Sequence, residues 1–367
     1  MSRIIFTISN NLIYDQRMNR IAATLSRSGH EVMLIGRNYQ KNDKTLNNNN
    51  IYSKTSYKQK LISCVFNKSA LFYAEYNIRL FFFLLFHRFD IVCAVDTDTL
   101  AACTLVSIIR KKSLFFDSHE LFTEVPELEN RNFIKKCWHL IEKQCIPKAE
   151  ICYTVNISIS EILSEKYHKK FEIIRNLPYL NSDFIDMNKK GEYLIYQGAV
   201  NKGRGLEELI LAMHQIDMPL IIAGNGDLFI QLKNFSEANE LNQKISFEGY
   251  MLPHDLKSAT KNAFAGYNLL NQNSKNYYYS LSNKFFDYMQ AAIPSLSNPF
   301  PEYKSIIEKF QVGILLETQT EAIVKTITVL RQNDDFYFQL RENNIKAREI
   351  FCWEKESKKL LKLYEKH

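Results

Sequence analysis

The chain has 367 residues, 46% of them hydrophobic and 24% charged, with 47 Lys and Arg against 40 Asp and Glu for a formal net charge of +7. This is enough apolar material for two domains of ordinary size, and the surplus of cations suits anionic partners without choosing among nucleotides, acidic lipid and nucleic acid. No basic run has the density of a nucleic-acid arm and no zinc-finger or RNP signature occurs, which argues against nucleic acid; seven cysteines without a CxxC pair argue against a disulfide framework and for a reducing, cytoplasmic compartment.

MSRIIFTISN runs directly into a strand rather than into a signal peptide. Arg3 to Ser9 reads as a buried strand, followed by a polar loop at Asn10 and Asn11 and a helix in which Met18, Ile21, Ala22 and Leu25 recur every three or four residues. Gly29 closes that helix and His30 to Gly36 supplies a second strand, completing a β-α-β unit. Asn38 to Ser56 is of low complexity and is expected to be an exposed loop without chemistry. The alternation then continues through helix 70–87, strand 90–95, helix 98–110, strand 113–116, helix 131–146 and strand 151–155. Such alternation implies a parallel sheet covered on both faces.

Two features of this half have competing readings. The apolar run Leu80 to Phe86 is too short to span a bilayer and is expected to pack under the sheet. Its neighbours Tyr73, Tyr76, Arg79, Lys54, Lys58, Lys60 and Lys68 supply the alternative, a basic and aromatic surface for peripheral membrane contact. Asp96-Thr97-Asp98 has the letters of a metal-binding motif, but at the start of a helix it is expected to be a cap. Cys137, Cys145 and Cys152 near His139 match no common zinc spacing, so no metal is expected.

A second cycle begins after a polar stretch that ends at Lys190: strand 193–197, helix 204–215, strand 219–223, helix 227–237, strand 245–247 and helix 254–261. Its strand exits are rich in glycine. Gly198 to Gly205 carries Lys202 and Arg204 where a strand turns into a helix, so the backbone can approach a phosphate closely while the cations neutralise it. Gly224-Asn225-Gly226 and Glu248-Gly249-Tyr250 follow, and a planar base can lie against the last of these. Each loop alone is also an ordinary turn. SLSNKFFDYMQAAIP (280–294) adds a polar helix start at Ser280, Ser282 and Asn283, a cation at Lys284 and a carboxylate at Asp287, with Phe285, Phe286, Met289 and Ile293 facing inward and Pro294 ending the helix. A capped core helix is the plainer reading of the same letters.

Taken together, these motifs resemble the retaining glycosyltransferases of family 4 over nearly the whole chain. YDQRMNRIAATLSRSGHEVMLIGR (14–37) is similar to the family's first helix and second strand, and FFDSHELFTEVPEL (115–128) to one branch of it. YQGAVNKGRGLEELILAM (196–213) is similar to its phosphate-binding strand, loop and helix, AGNGDL (223–228) and ISFEGYM (245–251) to its base and ribose loops, and NKFFDYMQAAIP (283–294) to the helix of its glutamate pair. FCWEKESKKLLKLYEKH (351–367) looks like the terminal helix that returns to the first domain. The chain departs from the pattern at two positions: the loop's usual arginine falls on Ala199, with Arg204 at the lysine position, and the first glutamate falls on Tyr279, with Asp287 as the second.

The resemblance implies an α/β chain of the GT-B fold with two facing Rossmann-like domains: an acceptor-binding domain at 1–176, a nucleotide-sugar-binding domain at 177–345 and a C-terminal helix at 346–367. It implies a metal-independent hexosyltransferase that moves a sugar from a nucleoside diphosphate sugar to a glycan or lipid-linked acceptor with retention, in bacterial polysaccharide or glycoconjugate assembly. No cofactor is implied, and the location is the cytoplasm, with the inner face of the membrane left open. His119, Arg204 and Lys284 become the catalytic candidates. Gly198, Lys202, Gly224, Gly226, Tyr250, Tyr279, Ser282, Asn283 and Asp287 become the donor-binding ones. Asn10, Asn11, Asp15, Arg17 and Glu120 are the acceptor candidates, although Asp15 and Arg17 equally suit a helix-start acid and a surface cation. A sugar-nucleotide epimerase and a catalytically inactive nucleotide-binding protein stand as the alternatives.

Overall fold

The computed structural model describes residues 1–12, 15–38, 55–125, 128, 131–271 and 274–365. Residues 39–54 of the expected low-complexity loop lie outside them. Among the described residues the strands are short and most are apolar, and within each sheet they pair in parallel. Two sheets result. The first runs β3-β2-β1-β4-β5-β6-β7, with β1 Arg3–Thr7, β2 Glu31–Arg37, β3 Lys58–Ile62, β4 Ile91–Val95, β5 Ser113–Ser118, β6 Ile151–Thr154 and β7 Phe171–Ile173. The second runs β10-β9-β8-β11-β12-β13, with β8 Leu194–Gln197, β9 Leu220–Ala223, β10 Ile245–Gly249, β11 Ala265–Asn268, β12 Ser295–Ser297 and β13 Gly313–Leu315. In each sheet the strand order reverses once, between β1 and β4 and between β8 and β11. Ligands of open parallel sheets bind at the carboxyl ends of strands beside such a reversal.

The chain divides into two units, Met1–Asn176 together with the residues from Glu356 onward, and Leu177–Lys355. In the first unit Ile4 pairs with both Val32 and Ile91, and the central strand β4 is buried along its whole length. The last helix, Trp353–Tyr364, ends in this core: Tyr364 is fully buried, its ring centroid 4.9 Å from that of Phe115 and its hydroxyl 3.0 Å from that of Tyr153. In the second unit Leu209, Ile210, Leu220, Ile222 and Tyr267 form the heart of one apolar cluster, while Phe285, Phe286, Met289 and Tyr303 fill another beneath the sheet.

Several elements are absent from the sequence reading. β3 is a polar edge strand whose residues alternate outward, and β7 is only three residues long, so neither carries the apolar run that marks a central strand. Helices 157–167, 301–310, 320–332 and 334–348 and strands β11 and β13 likewise complete the units. The helix expected to end at Pro294 stops at Gln290. Ala292 adopts a left-handed backbone (φ 53°) two residues before the proline. Helix Ser69–Phe86 also departs from expectation. It buries a single row, Phe72, Tyr76, Leu80 and Leu84, and leaves Phe82 and Phe86 outside, so it is not packed under the sheet on all sides.

Truncating Tyr364 to alanine opens a cavity in the first unit's core and is expected to cost about 3–5 kcal/mol in urea unfolding. Lys362→Ala, on the same helix, is expected to change stability by less than about 0.5 kcal/mol.

Candidate functional site

Three strand exits of the second unit converge through backbone contact. Gly198 N–H donates to the Ala223 carbonyl at 2.9 Å, Gly224 N–H to Gly249 at 2.7 Å, and Val200 N–H to Asn225 at 3.0 Å. The approach is so close that a Cβ on Gly224 would overlap the Gly198 carbonyl oxygen, and one on Gly226 the Val200 carbonyl oxygen. Gly224 also has φ 144°, a conformation that side chains resist. Gly198 and Gly226 are exposed on this rim, as are Lys202 and Tyr250, and Gly224 is half-buried.

Two cations stand beside the rim. Lys284 is the second residue of helix 283–290, in its first turn, and is only 7% exposed, yet its Nζ has no hydrogen-bond partner. It lies 3.9 Å from the centroid of the Tyr196 ring, and a Cβ on Gly198 would sit 3.9 Å from it. Arg204 places its guanidinium 4.9 Å from the centroid of Tyr277, and its buried Nε is also unpartnered. Burial, with the nearby Arg204 charge adding to it, pushes the Lys284 amine well below the usual lysine range. Buried donors are ordinarily satisfied, so two unpartnered cationic donors side by side mark a place shaped for an anion.

Helix 283–290 supplies the rest of the site differently from the sequence reading. Ser282 precedes the helix but makes no side-chain cap. Its Oγ instead donates to Asn268 Oδ1 at 2.7 Å, and fully buried Asn268 donates in turn to Ser297 Oγ at 3.1 Å. The hydroxyl therefore ties the helix start to the ends of β11 and β12. Asp287 is half-buried and accepts from Gln197 Nε2 at 2.8 Å, while Gln197 Oε1 accepts from Thr260 at 2.7 Å. Asn283 is exposed. Tyr279 ends the short helix 275–278, half-buried, with its ring edge-on to Tyr278 at 4.9 Å. Tyr196, Gln197, Asn268 and Tyr277 were not singled out from the sequence. The one signal available for the first two is their place at the end of the strand that precedes Gly198.

The first unit has its own polar cluster at the carboxyl ends of β1, β4 and β5. Arg17 is 3% exposed and grips Asp117 with two donors, Nη2 to Oδ1 at 2.8 Å and Nε to Oδ2 at 3.2 Å, while Nη1 donates to the Ile174 carbonyl at 2.7 Å. This corrects the reading of Arg17 as a surface cation, because its fork is used inside the unit. Asp15 caps the helix by accepting from Met18 N–H at 2.9 Å, which is the plainer of its two readings. His119 lies next along the chain of charges, with Nε2 3.2 Å from Asp117 Oδ2 and its backbone N–H donating to Asp96 Oδ1 at 2.7 Å. Burial pushes the imidazole down, but Asp117 and Asp96 outweigh it and raise His119 to about 9. Asp96 makes no side-chain cap, contrary to expectation, and burial lifts it to about 8 against the pull of His119. Asp98 is buried against the Ser9 hydroxyl and raised to about 6. Glu120, half-buried, accepts at its carbonyl from Ser118 Oγ; Asn10 is exposed and Asn11 half-buried after β1. Among the described residues no three His, Cys, Asp or Glu side chains are grouped to hold a metal ion.

Two parallel-sheet α/β units, one with Lys284 and Arg204 beside its glycine turns, define the fold class, and the comparisons narrow it. Residues 181–347, within the second unit, match the family model described as glycosyl transferases group 1. No curated protein matches the sequence. The fold is GT-B. Over the full chain it is similar to sucrose-phosphate synthase from Thermosynechococcus elongatus (TM-score 0.79, 13% identity, 100% of this chain and 99% of that one). It is also similar to HepE from Anabaena in complex with UDP-glucose (0.75, 12%, 100% of each chain). A Listeria monocytogenes protein provisionally named UDP-N-acetylglucosamine 2-epimerase shares the fold less closely (0.62, 12%, 93% and 91%).

Two outcomes follow from the electrostatics. Replacing Lys284 by methionine removes a buried amine without partners, so the variant is expected to be more stable at pH 7 by roughly 1–3 kcal/mol in urea unfolding. His119 has a native pKa above its ordinary 6.5, so its pairing stabilises the fold fully below that pH and is lost as pH rises through about 9. Asp96, lifted toward 8, acts in the same direction. Stability is expected to decline across this window, with the His119 imidazole resonance titrating well above 6.5 in NMR; a midpoint near 6.5 contradicts the charge chain.

Proposed function

We propose that this protein transfers a sugar from a nucleoside diphosphate sugar to an acceptor hydroxyl with retention of configuration. The observation that carries the reading is the unpartnered Nζ of buried Lys284 and the unpartnered Nε of half-buried Arg204, beside three converging glycine turns at the β8/β11 reversal. Cleaving a glycosyl phosphate leaves negative charge on the diphosphate. Donors already fixed and desolvated at that point stabilise the developing charge without having to reorganise. In this reading Lys284 and Arg204 hold the phosphates, with exposed Lys202 entering from the loop. Gly198, Gly224 and Gly226 permit close backbone approach, Tyr250 offers a face to the base, and Asp287, oriented by Gln197, accepts from the ribose hydroxyls. Ser282, Asn283 and Tyr279 line the donor end of the helix.

His119, held as an imidazolium by Asp117, is the second catalytic candidate, a charged donor to the sugar. Asn10, Asn11 and Glu120, exposed or half-buried after β1 and β5, are kept as acceptor contacts; Asp15 and Arg17 are not, since they serve the first unit's interior. The acceptor hydroxyl attacks on the face from which the diphosphate departs, and a phosphate oxygen takes its proton, so the chemistry proceeds without a metal. The acceptor is a glycan or a lipid-linked sugar in bacterial glycoconjugate assembly, met in the cytoplasm. That structures with this fold include one holding UDP-glucose supports UDP as the first nucleotide to try.

Thermal-shift measurements with UDP, GDP and ADP test the site directly. One diphosphate is expected to raise the melting temperature through linkage, and Arg204→Ala and Lys284→Met are expected to reduce its apparent affinity by roughly tenfold or more. Sugar release from the matching donor, measured with and without acceptor and in EDTA, separates transfer from epimerisation and tests independence of metal. Unchanged diphosphate binding in both variants overturns the assignment.

A further inference from the structure

Helix 69–86 turns one row of side chains inward and leaves a second row outside. Ile78, Phe82 and Phe86 recur every four residues on that outer row and are 58%, 55% and 78% exposed. The adjoining helix, Thr97–Arg110, repeats the arrangement with Leu105, Ile108 and Ile109, each more than half exposed. The two helices lie side by side and run in the same direction. Asn77 Nδ2 donates to the Asp98 carbonyl at 2.7 Å near the start of the second helix, and Arg110 Nη1 donates to the Leu84 carbonyl at 3.0 Å at its end. Each of these neighbouring helices thus carries its own exposed apolar row, and the six side chains together expose more apolar surface than the single leucines common on soluble proteins.

The charge around this face has one sign. Both helices end in basic sequence, His87-Arg88 and Arg110-Lys111-Lys112, with Arg88 and Lys111 exposed. The nearby carboxylates are already engaged: Glu75 pairs with Arg79 at 2.8 Å and accepts from the backbone of Val65 and Phe66, and Asp90 pairs with Arg3 and Lys112 at 3.0 and 3.1 Å. Asp98 is buried. A second copy related by a twofold axis would set these cations against themselves with no carboxylate to receive them. An anionic bilayer answers both properties, since its acyl boundary takes the apolar rows and its headgroups take the cations.

We propose that the outer face of helices 69–86 and 97–110 docks the first unit on an anionic lipid surface. Phe82, Phe86 and Ile109 enter the acyl boundary, and Arg88 and Lys111 meet the headgroups. The helix lies in the interface and does not span it, because its inner row is held in the unit's core.

Co-sedimentation of the full chain with vesicles tests this. Binding is expected to phosphatidylglycerol-containing vesicles at low salt, and to be weak with pure phosphatidylcholine vesicles or at high salt. The double variant Phe82→Gln, Ile109→Gln changes only exposed side chains and is expected to weaken binding roughly tenfold or more. Arg88→Glu with Lys111→Glu leaves the apolar rows intact and is expected to abolish the preference for anionic lipid. Failure to bind anionic vesicles at low salt overturns the proposal, and so does binding that neither variant alters. Light scattering that finds a dimer which the Phe82, Ile109 variant dissociates also overturns it, in favour of a second copy on this face.

Discussion

The candidate site depends on how closely three backbone segments approach one another at the ends of β8, β9 and β10. Parallel register brings their exits to one level, and the absence of side chains at Gly224 and Gly226 lets the loops touch through backbone hydrogen bonds. Any Cβ at these two positions would push the loops apart. The strand reversal at β11 then leaves room on the other side of β8, where helix 283–290 sets down Lys284. Packing of backbone on backbone thus creates the place for the cations.

The two units use similar residues to opposite ends. In the first, Arg17 is buried with a carboxylate gripped by two donors and a carbonyl as a third partner, so its charge is satisfied and its role is internal. In the second, Lys284 and Arg204 are close enough to repel and rest over the rings of Tyr196 and Tyr277, which offset only part of the cost of desolvation. Like charges held together without a counter-ion are destabilising by themselves. A binding site for an anion is a reason for a fold to retain such an arrangement, and stability is what it gives up.

Legibility in the sequence differed from residue to residue. The glycine exits, Lys284, Arg204 and the inward row Phe285, Phe286 and Met289 were readable because backbone freedom, charge and helical spacing are local properties. Ser282 was read as a cap, which its residue type favours. Its actual partner is Asn268, fourteen positions away, and no local rule selects that bond. Arg17 and Asp117 lie one hundred positions apart, and no local rule anticipates the pairing that buries Arg17. Gln197 and Tyr196 carry little local signal, because each is unremarkable in a buried strand. Their importance comes from what stands opposite them. The helix at 69–86 was apolar nearly all round, and composition cannot say which side of such a helix is covered.

Alternating strand and helix patterns by themselves determined the α/β class, the presence of two Rossmann-like units and the glycine-rich turns that mark their strand exits, because these follow from short-range periodicity and backbone sterics. Tertiary structure decided the rest: which cationic donors are satisfied and which are left without a partner, that Asp96 holds the His119 backbone rather than capping a helix, and that one apolar row of helix 69–86 lies outside. Each of these is a matter of partners distant along the chain, and electrostatics and burial act through space.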